Sequence, residues 1–151
     1  MSREGLSASA EDISSFLQLS RITLTINETG ALAQLRDVNE VLKSYDLIAV
    51  KTSNEKVFHT LCLEATIVDI ITFELSDKLF KLKHNVMYEA ANRGIKFELQ
   101  YGEALRNEKC RRMVLSNIAN VSRITRGKHL IFSSGAKSKL QVRSPADLCS
   151  L

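Results

Sequence analysis

Five short runs rich in β-branched and apolar residues recur along the chain: Ile22–Ile26, Leu47–Val50, Val68–Phe73, Lys96–Tyr101 and His129–Ser133. Helical patterns fill the intervals between them. Parallel strands need a crossover long enough to carry a helix, so this alternation is the mark of β/α units around a parallel sheet. A closed eight-stranded barrel of this kind takes about 250 residues, and the chain has 151. The expected fold is therefore α/β, an incomplete or distorted TIM-type (β/α) barrel with parallel strands. Residues 1–19 read as a poorly specified leader, and residues 20–151 as the partial barrel domain.

The connecting segments carry their own signals. Ala31, Leu35, Val38, Leu42 and Tyr45 recur at spacings of three and four, which gives one apolar helix face. Thr52 and Glu55, three apart and just before Val57, Phe58, Leu61 and Cys62, form a capping-box pattern that predicts a second helix there. A short helix is expected from Asn85 through Ala91, ended by Gly94 in a left-handed conformation. The longest helix is expected from about Asn107 to Arg126, stopped by Gly127, with Val114, Ile118, Val121 and Ile124 as its buried stripe. Ser144, Pro145 and Asp147 read as an N-cap, an N1 proline and a first-turn acid.

Charge is distributed unevenly. From Arg106 to Arg143 there are ten basic residues and one acid, Glu108, a net +9. The whole chain carries +4, so the remainder carries −5. Such asymmetry points to a polyanionic partner, nucleic acid being the commonest, although a solvated basic face would look the same. On the long helix Arg112, Ser116, Asn120 and Arg123 follow at four, four and three residues, placing two guanidinium groups and two hydrogen-bonding side chains on one face. The candidate nucleic-acid contacts are Lys109, Arg111, Arg112, Arg123, Arg126, Lys128, Lys137 and Arg143. Glu108 stands four residues before Arg112, a pairing too weak to hold that side chain from a phosphate. The stretch Ser133 to Ala136, followed by Lys137 and Lys139, has the composition of an anion-binding turn and equally of a plain strand-to-helix turn.

Other function classes find little support. Cys62, Cys110 and Cys149 are odd in number and form no CxxC pair, and His59, His84 and His129 are dispersed, so neither a disulfide framework nor a metal centre is expected. No cofactor is expected either. A barrel hydrolase would gather carboxylates and histidines at strand C-terminal ends. Here Glu98 and Gln100 alternate with Phe97, Leu99 and Tyr101, and the expected role of Glu98, as of Asp69, is that of a paired interior acid rather than a catalytic one. No run of about 18 apolar residues and no signal-peptide core occurs, so an intracellular, soluble protein without a membrane partner is expected.

Taken together, several segments resemble one family. They are RITLTI (21–26), YDLIAV with NEKVFHTLC (45–62), VDIITFELSDKL (68–79), ANRGIKFELQY (91–101), RNEKCRRMVLSNIANV (106–121), RGKHLIFSSGA (126–136) and VRSPADL (142–148). In order and spacing they are similar to the thirty-kilodalton protein subunit of ribonuclease P, which is shared with the mitochondrial RNA-processing ribonuclease. That resemblance implies a distorted barrel related to metal-dependent phosphoesterase folds. It implies a non-catalytic scaffold in a ribonucleoprotein whose RNA removes 5′ leaders from precursor tRNA. The implied partners are the ribonuclease P RNA, the RNA of the related ribonuclease and other protein subunits, including a small α/β one. A nuclear and nucleolar location and a part in rRNA processing are also implied. Residues 1–19 do not look like the opening strands of the family barrel, the loops carry no proline before Pro145, and the last helix pattern stops at Leu151. A metal-dependent phosphoesterase-like hydrolase and a non-functional truncated isoform are the two rival readings.

Overall fold

The computed structural model describes residues 17–32, 39–136 and 138–148. Five strands, β1 (Arg21–Thr25), β2 (Leu47–Thr52), β3 (Ile70–Phe73), β4 (Lys96–Gln100) and β5 (Leu130–Ser133), lie side by side in chain order. Every neighbouring pair is parallel. The sheet is open, with β1 and β5 at its edges. All five expected strands are present, within two residues of their expected ends.

Between β1 and β2 the chain is helical at residues 29–32 and again in α1 (Asn39–Leu42). Leu35 and Val38 of the expected stripe lie outside the described residues, while Leu42 is buried in the core. The further helices are α2 (Glu55–Glu64), α3 (His84–Asn92), α4 (Gly102–Arg106), α5 (Glu108–Thr125) and α6 (Pro145–Leu148).

The register sorts the strand residues onto two faces. Partners across a parallel ladder share a face, so Ile48, Val50, Ile71, Phe97 and Leu99 lie on one side with Phe73. These pack with Val57, Phe58 and Leu61 of α2, Met87 and Ala90 of α3, and Val114 and Val121 of α5 into one core. Phe58 anchors it, its ring centroid 5.7 Å from Phe73 and 6.4 Å from Phe97. The opposite face carries Arg21, Ala49, Thr72, Glu98 and Gln100 together with Leu47, Ile70 and Ile131, and forms the mixed, concave side of the partial barrel.

The curl of the sheet is visible in one bond. Arg21 on β1 and Glu98 on β4 are three strand spacings apart, roughly 14 Å across a flat sheet. Yet Nη1 and Nη2 of Arg21 donate to the two carboxylate oxygens of Glu98 at 2.6 Å each. The Thr72 hydroxyl, on the strand between, donates to the same carboxylate at 2.6 Å. Glu98 is thus a paired interior acid, as its alternation implied. Asp69 is not. It is exposed just before β3, where its carboxylate accepts the Ile48 backbone N–H at 2.8 Å and ends the β2 ladder.

Local caps refine the expected boundaries. The N-cap of α2 is Asn54, whose side chain accepts from the backbone of Lys56 and Val57. Thr52 instead ends β2 as a buried residue, its hydroxyl accepting from Asn54 N at 3.1 Å. The box was misplaced because Thr52 and Asn54 are both N-cap residue types two positions apart. Helix α3 begins at His84, one residue before the expected Asn85, with Lys83 at its N-cap position and no side-chain cap. Gly94 has the expected positive φ, +94°. Arg93 clamps the C-terminal end of α2, donating to the carbonyls of Cys62 and Ala65. In α6 the Ser144 hydroxyl accepts from Asp147 N and the Asp147 carboxylate accepts from Ser144 N, a reciprocal capping box.

Candidate nucleic-acid interface

Asn107 starts α5 by accepting the Lys109 N–H on its side chain, and Arg126 ends the helix in a left-handed conformation, φ 54°. Val114 and Val121 are buried, Ile118 and Ile124 pack against the core from its margin, and Asn117 joins them. Asn117 was not expected among the buried positions. Its amide donates to the carbonyls of Leu75 at 2.9 Å and Asp77 at 2.8 Å, so it anchors the loop after β3.

The helix places the candidate residues in two groups rather than one patch. Lys109, Arg111 and Arg112 occupy its first turns, while Arg123, Arg126 and Lys128 lie at and beyond its last. At 1.5 Å per residue, Lys109 and Arg126 stand about 25 Å apart along the axis. The C-terminal group sits where a helix dipole favours cations. At the N-terminal end the dipole opposes cations. There Lys109 and Arg112 are exposed and make no side-chain bond among the described residues. A positive helix end bearing free cations is an anion-attracting arrangement.

Other basic residues have structural employment. Arg111 donates through Nε to the Ala104 carbonyl at 2.9 Å, tying α4 to α5, and only its terminal nitrogens remain available. Glu108 and Arg112 form no ion pair. Arg123 donates to Asn120 at 3.0 Å, which ties together the C-terminal end of the expected polar face. The backbone of Arg143 donates to the Tyr101 hydroxyl, leaving its side chain exposed. Lys137 lies outside the described residues.

In the segment after β5 one of the backbone donors is already used. The N–H of Ala136 is taken by the Ser134 hydroxyl. Arg106 grips the Gly135 carbonyl and the Gln141 side chain at 3.1 Å each, and pairs with Glu103 at 2.8 Å.

Strand C-terminal ends, where barrel enzymes assemble their chemistry, hold acids already matched with cations. Glu74 pairs with Lys51 at 2.5 Å. Burial raises its pKa, but the Lys51 and Ser76 bonds outweigh that and hold it below the ordinary carboxylate value. Among the described residues no three His, Cys, Asp or Glu side chains gather where they could hold a metal ion. No helix among them is long and apolar enough to cross a membrane.

A cavity that the sequence did not lead us to expect, of about 160 Å³, lies between α3 and the turn from α5 into β5, lined among others by His84, Tyr88, Arg126, Lys128 and His129. Only the spacing of His84 and Tyr88, four apart on a helix, was readable in advance. Nothing in the sequence joins them to a turn some forty residues later.

Comparison with known proteins adds the family context. The family model described as RNase P subunit p30 matches residues 4–151. The chain is 41% identical over 137 residues to Protein GAMETOPHYTE DEFECTIVE 1 of Arabidopsis thaliana, covering 90% of this chain and 23% of that protein. It is 35% identical to Ribonuclease P protein subunit p30 of Mus musculus, over 88% of this chain and 50% of the mouse protein. Ribonuclease P/MRP protein subunit RPP1 of Saccharomyces cerevisiae is 33% identical over 87% of this chain and 44% of its own length. The chain thus spans half or less of the length of these relatives. A chain in the cryo-EM structure of archaeal Ribonuclease P with mature tRNA superposes with a TM-score of 0.72 at 23% identity, covering 91% of this chain and 61% of that one. That likeness confirms the parallel barrel-type fold.

Proposed function

This chain belongs to the RNase P subunit p30 family, and on that premise we propose that it is a non-catalytic, RNA-binding subunit of ribonuclease P that supports removal of 5′ leaders from precursor tRNA. The observation that carries the RNA-binding role is the N-terminal end of α5. There Lys109 and Arg112 stand exposed at the positive end of an 18-residue helix, where helix stability does not call for cations. The reading also assigns phosphate contacts to the free terminal nitrogens of Arg111 and to Arg123, Arg126, Lys128, Lys137 and Arg143. Such contacts position RNA without reading its sequence. The partners in this reading are the ribonuclease P RNA, the RNA of the related processing ribonuclease, and further protein subunits, a small α/β one among them. The proposed location is the nucleus and nucleolus, with a part in rRNA processing through the related particle.

The test is the salt dependence of RNA binding by the purified chain. Replacing Lys109 and Arg112 by Ala should weaken binding to a duplex and flatten the slope of log affinity against log salt by about 0.9 for each phosphate no longer neutralised. An unchanged slope would remove these residues from the interface.

A further inference from the structure

The cavity beside α3 has the chemistry of a stacking site with a charged rim. Tyr88 is 56% exposed although it is a large aromatic side chain. Its ring and that of His84, one turn earlier, lie nearly parallel, 13° between planes and 6.1 Å between centroids. Across the groove the chain leaves α5 through Arg126 (φ 54°), Gly127 (φ 71°) and His129 (φ 59°), left-handed conformations that two non-glycine residues rarely share within one turn. The surrounding packing holds this backbone in place. Here it brings Arg126, Lys128 and the His129 ring to the edge of the cavity, with Lys96 Nζ 3.4 Å from His129 Nδ1. The floor is apolar, formed by Met87, Ala91 and Phe97.

We propose that this groove receives one unstacked base of single-stranded RNA, with Tyr88 and His84 as the stacking platform and Arg126 and Lys128 holding the flanking phosphates. The inference rests on the RNA-binding reading above and deepens it. At about 160 Å³ the cavity is smaller than the roughly 300–1,000 Å³ of sites for whole drug-sized ligands, so it takes a planar ring system with the sugar and phosphates outside. Sequence-tolerant recognition of single-stranded RNA uses this combination of aromatic faces beside cations. A double helix keeps its bases stacked and has nothing to offer the groove. The site therefore separates loops and bulges from paired segments, while the cations at the far end of α5 bind either.

The experiment compares two probes on the purified full chain, a single-stranded RNA of about a dozen nucleotides and a hairpin duplex with the same number of phosphates. Tyr88→Ala is expected to weaken single-stranded binding about tenfold, within the range measured for loss of one stacked base. It should leave duplex affinity and the salt slope unchanged, and Tyr88→Phe should bind like the parent chain. Lys128→Ala is expected to flatten the single-stranded salt slope by about 0.7. Equal single-stranded affinity for Tyr88→Ala and the parent would overturn the proposal, as would a Tyr88→Ala chain that keeps its RNA affinity but loses a protein neighbour from the particle. In both cases RNA binding itself would stand. A parent chain that binds neither probe would remove the RNA-binding reading together with this one.

Discussion

Replacing Arg21 by Met should cost more than any other single substitution on the concave face, and the cost should depend on pH in a particular direction. The Glu98 side chain is 1% exposed and receives both terminal nitrogens of Arg21 and the Thr72 hydroxyl. Burial acts to raise its pKa. The bonds from Arg21 and Thr72, with the charge of Arg21, overcome burial and bring it from 4.5 down to about 2. At about 1.36 kcal/mol per pKa unit, that depression corresponds to ~3 kcal/mol of stability at neutral pH. This contribution is fully present above pH 4.5 and disappears as pH falls through about 2. In the Arg21→Met chain the opposing bonds shrink while burial remains, so the Glu98 pKa should rise above its ordinary value. A buried, unmatched carboxylate then destabilises the chain at neutral pH by about 3–5 kcal/mol and is relieved by protonation as the solution is acidified. Urea unfolding at a series of pH values reads this directly. The stability gap between parent and variant should be largest near pH 7 and should narrow steadily toward pH 4. Changing Glu98 to Met in the same chain should recover much of the loss, since neither charge is then buried alone. A gap below about 1 kcal/mol at pH 7, or one that does not change with pH, would refute the reasoning.

Three further outcomes follow from the packing. Asn117→Ala removes the amide that serves the Leu75 and Asp77 carbonyls and leaves a buried acceptor unmatched; urea unfolding should show a loss of about 2 kcal/mol. Gly102→Ala would place a Cβ 2.0 Å from the Ser134 carbonyl oxygen, a backbone atom that cannot swing aside; its thermal unfolding should report a loss of about 1–3 kcal/mol. Burial pushes the Cys62 thiol up to about 12, so iodoacetamide at pH 8 should leave Cys62 unmodified in the folded chain and label it once urea unfolds it, as peptide mass mapping would show.

The strand pattern was legible because each strand alternates an apolar side facing the helices with a mixed side facing the concavity, and both are dictated by local composition. The ends of α5 were legible within a residue or two for local reasons, although Arg126 takes the left-handed turn that was expected of Gly127 alone. Long-range matches were not. Arg21 and Glu98 are separated by 77 positions, and nothing near either residue names the other. Their meeting depends on how far the sheet curls. Thr52 has the chemistry of a cap, but β2 runs two residues past Val50 and takes it into the strand, so Asn54 caps α2 instead. The basic segment was legible as a count of charges but not as a surface. Helix geometry divided it into two groups, and carbonyls at Ala104 and Gly135 claimed Arg111 and Arg106. The groove at Tyr88 was hidden because its walls come from α3 and from the turn after α5, brought together only by the packing of the two helices.

Whether the chain works as a subunit is tested most directly by asking if the tagged chain, expressed in cells that make it, co-purifies with the catalytic RNA of ribonuclease P in moderate salt. A working subunit brings this RNA down with the parent chain and loses it when Lys109, Arg111 and Arg112 are all changed to Ala, while the protein remains folded. Failure to recover the RNA, with a full-length relative succeeding in parallel, would contradict that role.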